Sequence, residues 1–137
     1  MPPFILDASI SMSWCFADER TPYSRDVLKQ LDYTYAEVPT IWPLEIANVL
    51  AVNERKGRLQ ISESTEFLKT LPRLDIRIEQ RPAYPGDLLP LIRCHKLTAY
   101  DAAYLDLAKR TGFALASFDT DLIDAAKSEG IALFSHR

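Results

Sequence analysis

Short apolar runs alternate with stretches of helical periodicity along this 137-residue chain, and that alternation constrains the fold more than any other feature. Phe4-Ile5-Leu6 ends at Asp7, Ala36-Glu37-Val38 ends at Pro39, and Leu74 to Ile78 alternates apolar with polar residues. Phe113 to Ser117 and Ile131 to Phe134 complete the series. The intervening segments read as helices: Ser9 to Phe16, Pro22 to Leu31, Pro43 to Lys56, Ser62 to Pro72, Gly86 to Cys94, Thr98 to Gly112 and Thr120 to Glu129. The clearest is Pro43 to Lys56, where Leu44, Ile46, Ala47, Leu50 and Ala51 recur near a period of about 3.6 before Gly57 stops the helix. Parallel neighbours in a sheet need a crossover, and helices of about ten residues supply one. The expected fold is therefore α/β, a mainly parallel central sheet of four to five strands flanked by helices, in one domain over residues 1–137.

The composition suits such a core. Apolar residues make up 47% of the chain and charged residues 26%, which excludes disordered, collagenous and coiled-coil classes. No apolar stretch approaches the ~18–20 residues of a membrane span. Met1-Pro2-Pro3 reaches Asp7 too soon for a signal peptide, so a cytoplasmic protein with no membrane contact is expected. Cys15 and Cys94 lack partners at metal-ligand spacing and read as reduced, half-buried thiols. The net charge of −3, from 16 Lys plus Arg against 19 Asp plus Glu, argues at first against a nucleic-acid binder.

Ligands of an open parallel sheet bind at the edge where the strands deliver their carboxyl ends. Four acids fall there. Asp7 directly follows the first strand, Asp119 follows the run ending at Ser117, and Glu45 and Asp101 lie in the first turns of their helices. Singly, an acid at a helix start stabilises the dipole or caps free amides by ~0.3–2 kcal/mol without any other role. Thr98-x-x-Asp101 has the form of a capping box, and Asp119 that of an N-cap. Together, carboxylates crowded at one edge repel unless a proton or a cation neutralises them. Oxygen donors without a neighbouring His or Cys favour Mg²⁺ or Mn²⁺ over zinc. Such a metal activates water and stabilises a phosphodiester transition state, so phosphodiester hydrolysis is the expected chemistry. His95, in a polar turn, and His136, next to the C-terminus, are not placed as general bases. Gly-rich phosphate loops and Gly-x-Ser-x-Gly elbows do not occur.

Four segments in series carry a family likeness: Phe-Ile-Leu-Asp7-Ala-Ser9, Trp-Pro-Leu-Glu45-Ile-Ala-Asn48-Val-Leu, Leu97-Thr-Ala-Tyr-Asp101-Ala-Ala-Tyr-Leu-Asp-Leu-Ala108 and Leu-Ala-Ser117-Phe-Asp119. In order and spacing they resemble the PIN domain, and within it the VapC-type toxins of type II toxin–antitoxin systems. The resemblance covers essentially the whole chain. It implies a Mg²⁺- or Mn²⁺-dependent endoribonuclease acting on RNA, often tRNA or rRNA, and held inactive by a small VapB-type antitoxin. Asp7 and Asp101 match the principal metal ligands, and Glu45 and Asp119 complete the acidic cluster, directly or through water. Ser117 matches a small hydroxyl residue that holds the site in shape. Asn48, one turn after Glu45, is placed to orient it or a water. Asp121 is a further acid that more naturally supports the helix dipole, and Asp106 and Asp124 read as solvent-facing.

Trp42, Leu44, Val49, Leu50, Val52, Leu59, Ile61, Phe67, Leu68 and Leu71 give a helix pair more apolar than one core face requires. A groove left there suits an amphipathic antitoxin segment, and the family's habit of pairing implies a homodimer. Arg20, Arg25, Lys29, Arg93 and Lys96 are candidate contacts to RNA phosphates. Two other readings remain. A receiver-like regulatory domain also has an acidic Mg²⁺ pocket, but it needs adjacent acids after the first strand and a Lys ending the last, where this chain has a lone Asp7 and Ser135-His136-Arg137. A non-catalytic PIN-like module that binds an antitoxin or acts as corepressor is opposed by the presence of all four acids. With those four assigned to a metal site, 15 acids face 16 bases, so the net charge excludes little about the substrate.

Overall fold

The computed structural model describes residues 2–135, so His136 and the end of the Ser135-His136-Arg137 segment lie outside the described residues. Four strands of three residues each, β1 (Phe4–Leu6), β2 (Ala36–Val38), β3 (Ile76–Ile78) and β4 (Ala114–Ala116), form one sheet in the order β3-β2-β1-β4. Every pairing is parallel, with Phe4 opposite Ala36 on one side and Ala114 on the other. β1 is central and wholly buried, consistent with its uninterrupted apolar sequence. The crossovers are α1 (Ala8–Ser13) with α2 (Pro22–Gln30), then α3 (Trp42–Arg55) with α4 (Ile61–Thr70), then α5 (Pro85–His95) with α6 (Ala99–Thr111); α7 (Thr120–Ser128) follows β4. No described helix is long and apolar enough to cross a membrane.

The helix ends follow local chemistry. Thr21 and Ser24 form a reciprocal capping box on α2, and Gln60 and Glu63 form one on α4, one residue ahead of the start expected at Ser62. Thr98 accepts from the Asp101 amide and opens α6, and Gly112, at φ 75°, supplies the left-handed residue that ends it. α6 packs on β1 and β4 and between α5 and α7. Ala102, Tyr104, Leu105, Leu107 and Ala108 are accordingly all buried.

Two expectations need correction. The run Ile131 to Phe134 is not a full strand: Leu133 makes one parallel bridge to Leu115, and Phe134 instead packs its ring on Phe4 at 5.0 Å. Two backbone hydrogen bonds with Leu115, to the Ala132 carbonyl at 2.9 Å and from the Phe134 amide at 2.8 Å, hold this segment together with the ring contact. Asp106 does not face solvent. It is buried, and its carboxylate accepts from Arg110 Nε at 2.8 Å. The same guanidinium donates to Glu79 Oε1 at 2.6 Å, while Glu79 Oε2 accepts from the Thr40 amide at 3.0 Å. Arg110 thus joins α6, the end of β3 and the β2–α3 loop, and both of its acid partners are buried.

Removing one partner of a buried charge set strands the others without compensation, at a cost of about 3–5 kcal/mol. Arg110→Met is expected to destabilise the fold by about 3 kcal/mol in urea titrations. An unchanged midpoint would show that the network is solvated and structurally idle.

Candidate active site

The parallel sheet brings the ends of β1 and β4 side by side, and two serines lock them together. Asp7 occupies the N-cap position of α1, yet its side chain makes no cap bond. Its Oδ2 instead accepts from Ser9 Oγ at 2.8 Å and Ser117 Oγ at 2.7 Å. Each hydroxyl also accepts from the β4–α7 turn: Ser9 from the Phe118 amide across the gap at 3.1 Å, and Ser117 from the Asp119 amide within its own turn at 2.9 Å. The β1–α1 and β4–α7 turns are therefore tied through a single carboxylate oxygen. Asp119 caps α7 by accepting from the Leu122 amide at 3.0 Å.

Glu45, in the first turn of α3, and Asp101, in the first turn of α6, face the same place. The four acids line one cleft of about 380 Å³ together with Ser9, Met12, Glu19, Val49 and Phe118. Glu45 Oε1 accepts from the Tyr104 hydroxyl at 2.6 Å. Tyr104 is fully buried and lies three residues after Asp101, so α6 both contributes an acid and positions another from α3. Neither this contact nor the role of Ser9 was assigned from the sequence. The signals were a hydroxyl two residues after Asp7 and a phenol one helical turn after Asp101.

The electrostatics follow from burial without a counter-charge. No lysine or arginine lines the cleft. Burial pushes the Asp7 carboxyl above its usual range, an effect opposed by the Ser117 and Ser9 hydroxyls and reinforced by the charge of Asp119. Asp101 is pushed up to about 6, first by burial and then by the charges of Asp119 and Asp7, against a hydrogen bond from Thr98. Burial raises Glu45 too, the Tyr104 hydrogen bond pulls it back, and the Tyr104 phenol is itself shifted upward by its burial and these acids. Among the described residues, no three of the four acids bring carboxylate oxygens within 4.8 Å of one another. An oxygen-only donor set with this spread fits a hard divalent ion that keeps several of its waters, as Mg²⁺ does.

Other expected residues lie elsewhere. Asn48 is exposed and outside the cleft lining, so the group that holds Glu45 is Tyr104 rather than Asn48. Asp121 and Asp124 are exposed. None of Arg20, Arg25, Lys29, Arg93 and Lys96 lines the cleft, and Arg20 donates to the Trp14 carbonyl at 2.9 Å. Arg58 reaches the cleft rim through Glu19. It stacks over Phe16 with 4.1 Å to the ring centre and donates to the cleft residue Glu19 at 2.6 Å.

Because Asp101 has a higher pKa folded, about 6, than its ordinary 3.8, its ionised form opposes folding. The penalty is absent below about pH 3.8, grows between the two values and is complete above about 6. Allowing for solvent screening of a half-exposed group, it amounts to about 1 kcal/mol. In chelator-treated buffer at about pH 7.5, Asp101→Asn should therefore raise the thermal midpoint by roughly 3–4 °C, with the gain shrinking toward pH 4. A midpoint equal to or below that of the wild type at pH 7.5 contradicts this electrostatic account.

Comparison with known proteins supports the fold and its class. The chain is similar to the crystal structure of PAE2754 from Pyrobaculum aerophilum, with a TM-score of 0.70 and 20% identity over 90% of this chain and 84% of that one. No curated protein sequence matches it. The model of the PIN domain, whose members are generally metal-dependent nucleases, matches residues 4–128, which span the whole sheet and all four acids. The chain belongs to the PIN-domain family.

Proposed function

We propose that this PIN domain is a Mg²⁺- or Mn²⁺-dependent endoribonuclease and the toxin of a type II toxin–antitoxin pair. One observation carries the catalytic part: four acids from four separate elements line a single cleft that contains no basic side chain. Asp7, Asp101, Asp119 and Glu45 are the residues that would hold the ion. A divalent ion bound there supplies Lewis-acid polarisation of the phosphodiester and a more acidic water.

The rest of the chemistry belongs to the chain. Ser9 and Ser117 fix one oxygen of Asp7, so its orientation is set before any ligand arrives. Tyr104 anchors Oε1 of Glu45, a residue of the cleft lining, and leaves Oε2 without a bond to Tyr104. The raised proton affinity of Glu45 and Asp101 suits them to take a proton from the attacking water or return one to the leaving oxygen. RNA is the substrate class that the family likeness supports, with tRNA and rRNA foremost. A near-neutral chain needs no broad basic face when the phosphate is gripped at the acidic cleft.

The partner reading rests on surface chemistry. Trp42, Leu50, Leu59 and Phe67 are core residues, whereas Leu44, Ile61 and Leu68 remain 65%, 73% and 48% exposed on α3 and α4. A groove of about 620 Å³ beside α4, lined by Trp14, Leu28, Phe67 and Leu74 and rimmed by Arg20, Arg73, Glu63 and Glu66, has the dimensions for an amphipathic segment of a VapB-type antitoxin. A homodimer is the assembly proposed for the free toxin.

Labelled structured RNA should be cut in Mg²⁺ or Mn²⁺ and not in EDTA. Asp7→Asn and Asp101→Asn should each reduce the rate by at least about 100-fold, and Ser117→Ala and Tyr104→Phe by about 10–100-fold. Cutting that survives EDTA or both aspartate substitutions would falsify the mechanism. Absence of cutting by wild-type protein with its metal would favour the non-catalytic module. Light scattering should give about twice the 15.6 kDa chain mass, and a stable monomer that binds no hydrophobic dye contradicts the groove and dimer readings.

A further inference from the structure

Away from the carboxylate cleft, the fold assembles a second set of ligand-type side chains. Cys94 and His95 end α5, and Glu129 is the C-cap of α7. A ligand atom from each lies within 4.8 Å of the other two. None of the three lines the acidic cleft. We propose that Cys94, His95 and Glu129 form a binding site for a divalent transition-metal ion of the zinc class, with one open coordination position for water.

The geometry and chemistry both favour this assignment. His95 Nε2–H donates to Glu129 Oε2 at 2.7 Å, and Lys109 Nζ holds the other oxygen, Oε1, at 2.8 Å. The carboxylate is thus already oriented by a group on α6, the kind of outer support that metal sites use. Zinc bonds of about 2.0 Å to nitrogen and oxygen and about 2.3 Å to sulfur place tetrahedral ligand atoms roughly 3.3–3.6 Å apart. The His95–Glu129 pair, hydrogen-bonded at 2.7 Å, opens by roughly 0.6 Å to reach these positions, and the exposed Cys94 side chain is free to rotate toward them. Two helix C-termini meet here, and their partial negative charge favours a cation. Lys96, at φ 54°, takes the left-handed conformation that ends α5 directly after His95, so both ligands of that helix sit at its end. Binding displaces the Cys94 thiol proton to solvent, and the neutral His95 ring carries its one proton on Nδ1 once Nε2 is a ligand, leaving thiolate, imidazole and carboxylate on the ion. The sequence spacing hid this site, because the third ligand is supplied by a helix 34 residues further on.

Cobalt titration of the chelator-treated full chain tests it, since the all-oxygen cleft contains no thiol and cannot produce a thiolate-to-cobalt charge-transfer band. Wild-type protein should show that band, with displacement by Zn²⁺. Cys94→Ser should abolish it, His95→Ala and Glu129→Gln should each weaken Co²⁺ binding at least tenfold, and Cys15→Ser and Asp7→Asn should leave it intact. Zn²⁺ should also raise the thermal midpoint of Asp7→Asn by at least about 5 °C and not that of Asp7→Asn with Cys94→Ser. A wild-type chain without the band, or a band that persists in Cys94→Ser, overturns the proposal. Circular dichroism of Cys94→Ser, an exposed and nearly isosteric change, verifies that the fold is retained.

Discussion

A buried aspartate at the end of the central strand organises this molecule. Asp7 is 5% exposed, and desolvating a carboxylate is expensive unless hydrogen bonds or opposite charge compensate. Here the compensation is two serine hydroxyls on one oxygen, and no cation. Ser9 is held by the Phe118 amide across the gap between the β1 and β4 turns, and Ser117 by the Asp119 amide within the β4 turn. The bond pattern that makes Asp7 tolerable therefore also fixes the two turns on which the cleft is built. Parallel pairing of β1 and β4 is its precondition, since only that register sets residue 7 beside residue 117.

The remaining acids extend the same arrangement. Each stands at a helix start, where the dipole and free amides partly offset its charge, and with Glu19 the cleft lining carries five carboxylates and no lysine or arginine. Stability is given up at the site and recovered elsewhere. The Glu79–Arg110–Asp106 network lies outside the cleft, and the buried face of α6, with Ala102, Leu105 and Ala108, packs against the sheet behind Asp101. Acids with raised proton affinity gathered in one cleft of an otherwise consistent fold mark a candidate functional site.

Much of this was legible in the sequence because it is local. Apolar runs bounded by Asp7, Pro39 and Ser117 marked three strands, and Thr98, Gly57 and Gly112 marked helix ends by their own conformational preferences. The four acids could be placed because a parallel sheet sends every strand's carboxyl end to one edge. What was not legible depends on partners far apart in the chain. Tyr104 reaches Glu45 across 59 positions, and Arg110 reaches Glu79 across 31, which is why Asp106 read as solvent-facing while it is buried. Asn48 had the right helical spacing for Glu45, yet it points away from the cleft lining, where Val49 stands instead. Ile131 to Phe134 had the composition of a strand, but it meets β4 at Leu115 alone, where two backbone hydrogen bonds close one bridge beside the ring contacts to Phe4 and Tyr23.

The central claim is that Asp7 and its neighbouring acids constitute the divalent-cation site of this nuclease fold. Electron paramagnetic resonance of free Mn²⁺ during titration of chelator-treated protein measures that occupancy without substrate or antitoxin. The account predicts Mn²⁺ uptake that tightens as pH rises through about 6, that is lost in Asp7→Asn, and that is unaffected by Cys94→Ser. Mn²⁺ uptake that is the same in Asp7→Asn as in the wild type, or no uptake by the wild type at millimolar concentration, would contradict it.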